Sequence, residues 1–376
     1  MATIDNRSGF PHAWVEKTGP GGIVYDMLAV RGTFDFAAGE GAVSRSPQQM
    51  PIVYGDEYDG AAAEQPLRSV LRREGDLALL KPATDVYLTG TARATNGIPQ
   101  RTWIAGLRVG PVRKVLRLHG PRSFERAWGR WRLSPAEPTD SVPLDYRHAF
   151  GGSFSLQEEE GAPATHVYKL DNPAGCGWLP GPVDVKDLSK PARKQLQADL
   201  SRLKRLQAPQ IEALDQPVRH PDQPLAAQGF GPLPRWCQPR LQYAGTYDER
   251  WQSERYPLLP EDFDARFYQS AHPDLICAGF LKGDEAIAMM GLLPERAAVM
   301  RLPGEAVLAA ATGASGKKQA GPLVLDTVGV DLDARQVHLV WRGTFEREDP
   351  IQHVSLGSII FAEVSGSPLA AEKGHG

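Results

Sequence analysis

Histidine and aspartate meet three times at short spacing: Asp145 with His148, His220 with Asp222, and His272 with Asp274. A carboxylate beside an imidazole can orient a general base or supply two metal ligands. None of the pairs forms a His-Glu-x-x-His arrangement or brings a clear third ligand, so turn hydrogen bonds and caps are the favoured reading and no metal is expected. The run Glu261-Asp262-Phe263-Asp264 adds further carboxylates. With Asp145 it defines the competing enzymatic reading, a carbohydrate-active hydrolase using a pair drawn from Asp145, Glu261 and Asp262. That chemistry needs two carboxyl groups held roughly 5–10 Å apart across a substrate, which neighbours in one loop rarely satisfy by themselves.

Other reactive patterns are missing. No Gly-x-Ser-x-Gly elbow occurs, and Gly151-Gly152-Ser153 reads as a polar residue leaving a glycine turn. Gly313-Ala314-Ser315-Gly316-Lys317-Lys318 lacks the glycine spacing of a phosphate loop and reads as a basic surface loop. The expectation is a protein that is not an enzyme, with no catalytic residue and no cofactor.

The chain concentrates its unusual composition in two stretches, 143–178 and 229–267, dense in glycine, proline and aromatic residues. Glycine reaches positive φ, proline pins φ, and large rings fill the space between turns, so such segments build fixed irregular backbone. They predict a rigid binding surface. Trp128, Trp131, Trp178, Trp236 and Trp251 read either as the core of that region or as exposed interface anchors. Candidate partner contacts are Trp178, Trp236, Tyr247, Trp251 and Phe263, together with Arg202, Lys204 and Arg205 on a basic face.

Elements that position these residues are legible. Residues 23–36, 85–92, 102–109, 112–118, 322–330, 337–345 and 355–364 are rich in β-branched and aromatic side chains and read as strands. Gly110-Pro111 joins two of them into a hairpin, and 331–335 is a turn. Arg-Gly-Thr-Phe occurs at 31–34 and again at 342–345, with flanks that do not agree and no period, so similar strand patterns are preferred over duplication. Leu196, Leu200, Leu203 and Leu206 fall at helical spacing, which predicts one amphipathic helix near 190–207 whose basic face is either solvated or a docking surface. The fold class is mainly β: sandwich-like sheets, a long irregular middle and that helix. The division is 1–135 as an N-terminal β region, 136–272 as the loop-rich middle, 273–365 as a C-terminal β region packing with the N-terminal sheets, and 366–376 as a flexible tail.

With 376 residues there is ample length for a sizeable core. Hydrophobic residues make up 41% and charged residues 23%, both ordinary for a globular chain, while Gly 38 and Pro 32 mark many turns. The net charge of -3 gives no electrostatic reason to expect nucleic acid or an anionic membrane. The N-terminus carries no secretion signal pattern and no apolar run approaches a membrane span, so a cytoplasmic protein is expected. Cys176, Cys237 and Cys277 are read as free thiols.

Several motifs, in order, carry a family resemblance: Lys81-Pro82-Ala83-Thr84-Asp85-Val86, Pro143-Leu144-Asp145-Tyr146, Ala149-Phe150-Gly151-Gly152, Asn172-Pro173-Ala174-Gly175, Gly229-Phe230-Gly231-Pro232, Gly245-Thr246-Tyr247-Asp248 and Leu259-Pro260-Glu261-Asp262-Phe263-Asp264. Together they resemble the bacterial family called domain of unknown function 2169, over residues 30 to about 303 and more weakly through 340–342. The segment 189–219 is longer than usual for it. The resemblance implies an adaptor or chaperone of type VI secretion that loads an effector onto a spike-tip protein of the VgrG or PAAR type. It supplies no catalytic residues, and the motif residues Asp85, Tyr146, Phe150, Gly151, Gly152, Asn172, Gly229, Phe230, Gly231, Pro232, Gly245, Thr246, Tyr247, Asp248, Asp262, Phe263 and Asp264 are expected to set the fold. A structural component of the apparatus is the third reading.

Overall fold

Strands from both ends of the chain interleave. In a computed structural model that describes residues 2–37, 41–59, 65–157, 163–347 and 349–360, the protein is mainly β, organised around three larger sheets. The largest has the hydrogen-bonded order His12–Thr18, Val24–Asp35, Gln336–Glu346, Val324–Asp331, Asp85–Thr89, with Ser44–Arg45 paired off this path. Only the last pairing is parallel, with Thr327 opposite Asp85. The second sheet runs Ile211–Ala213, Val112–His119, Thr102–Val109, Ala286–Met290, Ala297–Arg301, and the third Thr3–Asn6, Ile351–Ile360, Glu305–Gly313, Lys318–Pro322. One continuous apolar core collects side chains from all three, including Leu28, Val30, Leu107, Leu116, Met289, Val307, Val354 and Trp341. Burying each large side chain of that kind stabilises the fold by about 1.5–3 kcal/mol before entropy is counted.

The largest sheet is covered on both faces. That is why 24–35 reads as a nearly unbroken buried run instead of an alternating one. Its first face belongs to the apolar core; the second carries Arg31, Thr33, Asp85, Thr327, His338 and Arg342, all buried. The repeated Arg-Gly-Thr-Phe has a physical reason here. The two copies lie on adjacent antiparallel strands, with Arg31 opposite Val340 and Arg342 opposite Ala29. Each arginine enters the polar face, and each glycine makes room on the other. A Cβ on Gly32 would come within 2.9 Å of the Trp341 ring, and one on Gly343 within 2.6 Å of Leu323.

The middle of the chain differs from the sequence reading in two respects. The helix is Lys190–Arg202, started by Ser189, whose hydroxyl accepts from the Ala192 N–H at 3.1 Å. It stops there because Leu203 is extended (φ -64, ψ 121), and Arg205–Gln207 is a strand antiparallel to Ser123–Ala127. Leu206 sits opposite Phe124, so its apolar spacing serves a sheet and not a fourth helical turn. Nor is that helix alone: Gln238–Leu241 and Glu249–Glu254 are short helices inside the loop-rich region. A second, smaller core of Phe124, Phe150, Leu156, Val167, Trp178, Ala192 and Leu196 holds the helix to this region. The expected tail over 366–376 lies outside the described residues, as do the last four residues of the strand expected over 355–364. No helix among the described residues is long and apolar enough to cross a membrane.

Candidate functional site

Behind the largest sheet lies a closed set of charges. Lys81, fully buried, donates to Glu74 at 2.5 Å, to Asp85 at 2.7 Å and to the Thr327 hydroxyl at 3.2 Å. Arg240 donates to the other Glu74 oxygen at 3.1 Å. Arg31 holds Asp76 in two bonds of 2.8 and 3.0 Å, and Arg342 holds Asp326 at 2.5 Å and the Asp76 carbonyl at 2.7 Å. Four cations face four carboxylates, so the cluster is formally neutral. Burial opposes ionisation of Glu74, but Lys81 and Arg240 beside it draw its carboxyl down to about 2. Burial pushes Asp85 and Asp326 upward, and the adjacent cations pull against it. Isolated charges at such depth would be prohibitive; paired and hydrogen-bonded they fix one arrangement.

Arg240 ties this cluster to a ring-rich lobe over 236–268. Besides Glu74 it donates to the Leu233 and Phe267 carbonyls at 2.8 and 3.1 Å. Within the lobe the short motifs act as staples. Asp262 accepts from the Thr246 N–H and hydroxyl, both at 2.8 Å, Asp248 caps Glu249–Glu254 by accepting from Trp251 N–H at 2.8 Å, and Asp264 accepts from Arg266 N–H at 2.8 Å. Gly245 has φ +82, and a Cβ there would approach Pro260 to 2.7 Å, so this turn needs glycine. Tyr247 stands edge-on to Trp251 at 4.7 Å, Tyr256 meets the same ring at 5.7 Å, and Phe263 packs with Phe267 and Tyr268. Tyr247 and Tyr256 remain 54% and 70% exposed. Trp236 is half-buried and stacks on Tyr58 at 5.1 Å. Three of the sequence-predicted contacts, Tyr247, Trp251 and Phe263, therefore belong to the lobe's ring clusters, whereas Trp236 packs against the main core and Tyr58.

The other predicted contacts lie elsewhere. Trp178 is buried in the smaller core against Phe154, so it offers no ring face to a partner; apolar burial, not display, explains it. Arg202, Lys204 and Arg205 are exposed, but only Arg202 is on the helix, and Arg205 shares the outer side of a small sheet with Arg132. The motif residues Tyr146, Phe150, Asn172 and Phe230 are buried, Asn172 donating to the Tyr146 and Phe150 carbonyls at 2.8 and 3.2 Å. Gly151 and Gly152 flank this joint, and Gly229 lies against the Tyr146 ring.

A cleft of about 580 Å³ opens beside the motifs, lined by Asp145, Arg147, Gly231, Pro232, Asp331 and Asp333 among others. Its carboxylates are already engaged. Asp145 caps its turn, accepting from Arg147 and His148; although burial opposes the charge, those bonds hold its carboxyl well below the ordinary range. Asp331 accepts from the Asp333 and Ala334 N–H groups. Glu261 and Asp262 line a separate cleft with Trp251. Asp145 and the 261–262 pair thus do not line one cleft. Lys114, which sequence reasoning missed, donates to Asp274 at 2.7 Å and faces His272 at 3.0 Å; burial and Lys114 bring His272 down to about 4. Inward alternation along 112–118 is the signal that would have placed this lysine against the core. Among the described residues no group of three or more His, Cys, Asp or Glu is placed to hold a metal ion. Cys176, Cys237 and Cys277 are free, and burial pushes the Cys176 and Cys237 thiols up to about 12.

The fold is thus a mainly β scaffold carrying a lobe of stapled turns and packed rings. The family model described as "Uncharacterized protein conserved in bacteria (DUF2169)" matches residues 24–342, and the chain belongs to that family. Neither a curated protein nor a solved structure matches it.

Proposed function

We propose that this chain is a cytoplasmic, non-enzymatic adaptor or chaperone that binds a type VI secretion effector, or the spike-tip protein that carries it, and assists loading. The observation that carries this reading is the preorganised lobe over 236–268. Exposed Tyr247 and Tyr256 flank Trp251, while Thr246–Asp262, Asp248 and Arg240 hold the backbone beneath them. Large rings on a fixed frame supply contact area at low ordering cost, which is what a carrier that must release its client needs. The occupied carboxylates of the motif-lined cleft support binding over hydrolysis. Co-purification of the tagged full chain with the products of the genes flanking its own tests the reading. One of them is retained by the unmodified chain and lost from Tyr247→Ala/Trp251→Ala; retention of none refutes it.

A further inference from the structure

The second sheet turns an unusual face to solvent. Outward positions of an antiparallel sheet with one face on the core are ordinarily polar. Here Ile104, Val115, Met290 and Val299 occupy them, at 45%, 41%, 48% and 48% exposure. They are neighbours: Val115 and Met290 both lie opposite Gly106, one on each flanking strand, and their methyl groups converge over it, 3.5 and 3.9 Å from where a Cβ would stand.

The outward charged side chains of strands Thr102–Val109, Val112–His119 and Ala297–Arg301 are arginines, while Asp215 and Asp274 stand beside Arg113 and Val115 at the open edge of Val112–His119, Asp274 bonded to Lys114. Arg108 and Arg113 face each other across the hairpin, a cross-strand like-charge pair that costs stability. Arg301 closes the patch beside Val299 on the edge strand Ala297–Arg301. No carboxylate pairs with Arg108, Arg113 or Arg301 among the described residues; Arg108 donates to the Gly110 carbonyl and Arg301 to that of Asp284. Arg117, farther along, is matched by Glu212. In a chain of net charge -3, Arg108, Arg113 and Arg301 give the face a cationic rim without a salt bridge among the described residues.

We propose that this face is a docking site for an acidic, apolar-centred segment of the protein partner, engaging Ile104, Val115, Met290 and Val299 with its apolar side chains and Arg108, Arg113 and Arg301 with its carboxylates. This rests on the reading that the chain binds a protein. Charge selects the occupant. A two-fold contact between copies of the chain would set these arginines against one another. A membrane-binding face carries interfacial aromatics and lysines, and this one has neither. Planar guanidinium groups pair bidentately with carboxylates, and an apolar centre ringed by them has the anatomy of an interface.

The test uses the full chain and the flanking-gene product that it retains. Val115→Glu/Met290→Glu places carboxylates in the apolar patch at exposed positions, and Arg108→Glu/Arg113→Glu reverses the rim. Unfolding midpoints confirm folding. The expected result is affinity loss of about 50-fold or more for the first and about 10-fold for the second, with the wild-type affinity falling as salt rises. Wild-type affinity in both variants overturns the site while leaving the adaptor reading intact; no retained product overturns both. Two other results also overturn it: variant-sensitive sedimentation with phosphatidylglycerol vesicles, which assigns the face to a membrane, and a variant-sensitive dimer in sedimentation velocity.

Discussion

Lys81→Met is the most informative perturbation of the scaffold. The substitution preserves most of the side-chain volume and removes one charge from a site with no solvent access. Glu74 keeps Arg240 at 3.1 Å and Ser270 at 2.9 Å, but Asp85 keeps only the Ser270 N–H at 2.8 Å and a long contact to its hydroxyl. Removing one member of a buried ion pair costs about 3–5 kcal/mol, because the other charge stays desolvated. Adding Asp85→Asn removes that stranded charge, so the double variant returns to within about 2 kcal/mol of the parent. The pH dependence has a definite sign. Without Lys81 the Asp85 carboxyl, already raised by burial, rises further above its unfolded value. The folded state then binds the extra proton, and the deficit shrinks as pH falls from 7 towards 5, by at most about 1.4 kcal/mol per unit. Urea midpoints followed by circular dichroism at several pH values measure this. A deficit under about 1 kcal/mol, or one that grows on acidification, refutes the role assigned to the cluster.

Other outcomes follow from the same geometry. His338 is buried, and burial together with Arg31 and Arg73 lowers its ring to about 3. Its contribution is therefore complete above about pH 6.5 and lost as pH falls towards 3, at up to about 1.4 kcal/mol per unit, and His338→Gln should flatten that slope in acid titrations of stability. Trp178→Ala should cost about 3–5 kcal/mol in urea unfolding, since the ring fills the smaller core. Arg240→Lys forfeits the geometry of three bonds to Glu74, Leu233 and Phe267, so hydrogen exchange should quicken across 236–268 and much less in the sheets. Asp262→Ala should loosen the Thr246 turn and lower partner affinity about 10-fold without a comparable loss of global stability, read by titration and melting side by side.

Much of the strand framework was legible because period-two patterning is a local signal. The hairpin 102–109 and 112–118 appears as Thr102–Val109 and Val112–His119 around Gly110-Pro111. The helix was overextended because Leu203 and Leu206 continue its spacing; Leu203 already has extended backbone, and Leu206 pairs with a distant strand. The charge cluster was invisible for a related reason. Glu74 and Lys81 are near neighbours, but Arg31, Arg240 and Arg342 come from distant parts of the chain, and a charged residue in a strand such as Arg31 or Arg342 reads as solvent-facing until a second layer is known to cover that face. Trp178 and Trp251 looked alike in composition, and their separation into core and lobe depends on tertiary packing alone. The outward apolar row of the second sheet escaped notice because Ile104 and Val115 also satisfy a strand reading, whichever way they point.

The central claim, that this scaffold exists to hold another protein, is tested most directly by calorimetric titration of the purified full chain with each flanking-gene product. The account predicts saturable binding of one product with a negative heat-capacity change, the mark of apolar surface leaving water. Absence of heat and of complex with every product would contradict it, as would sustained turnover of a small molecule in the same cell.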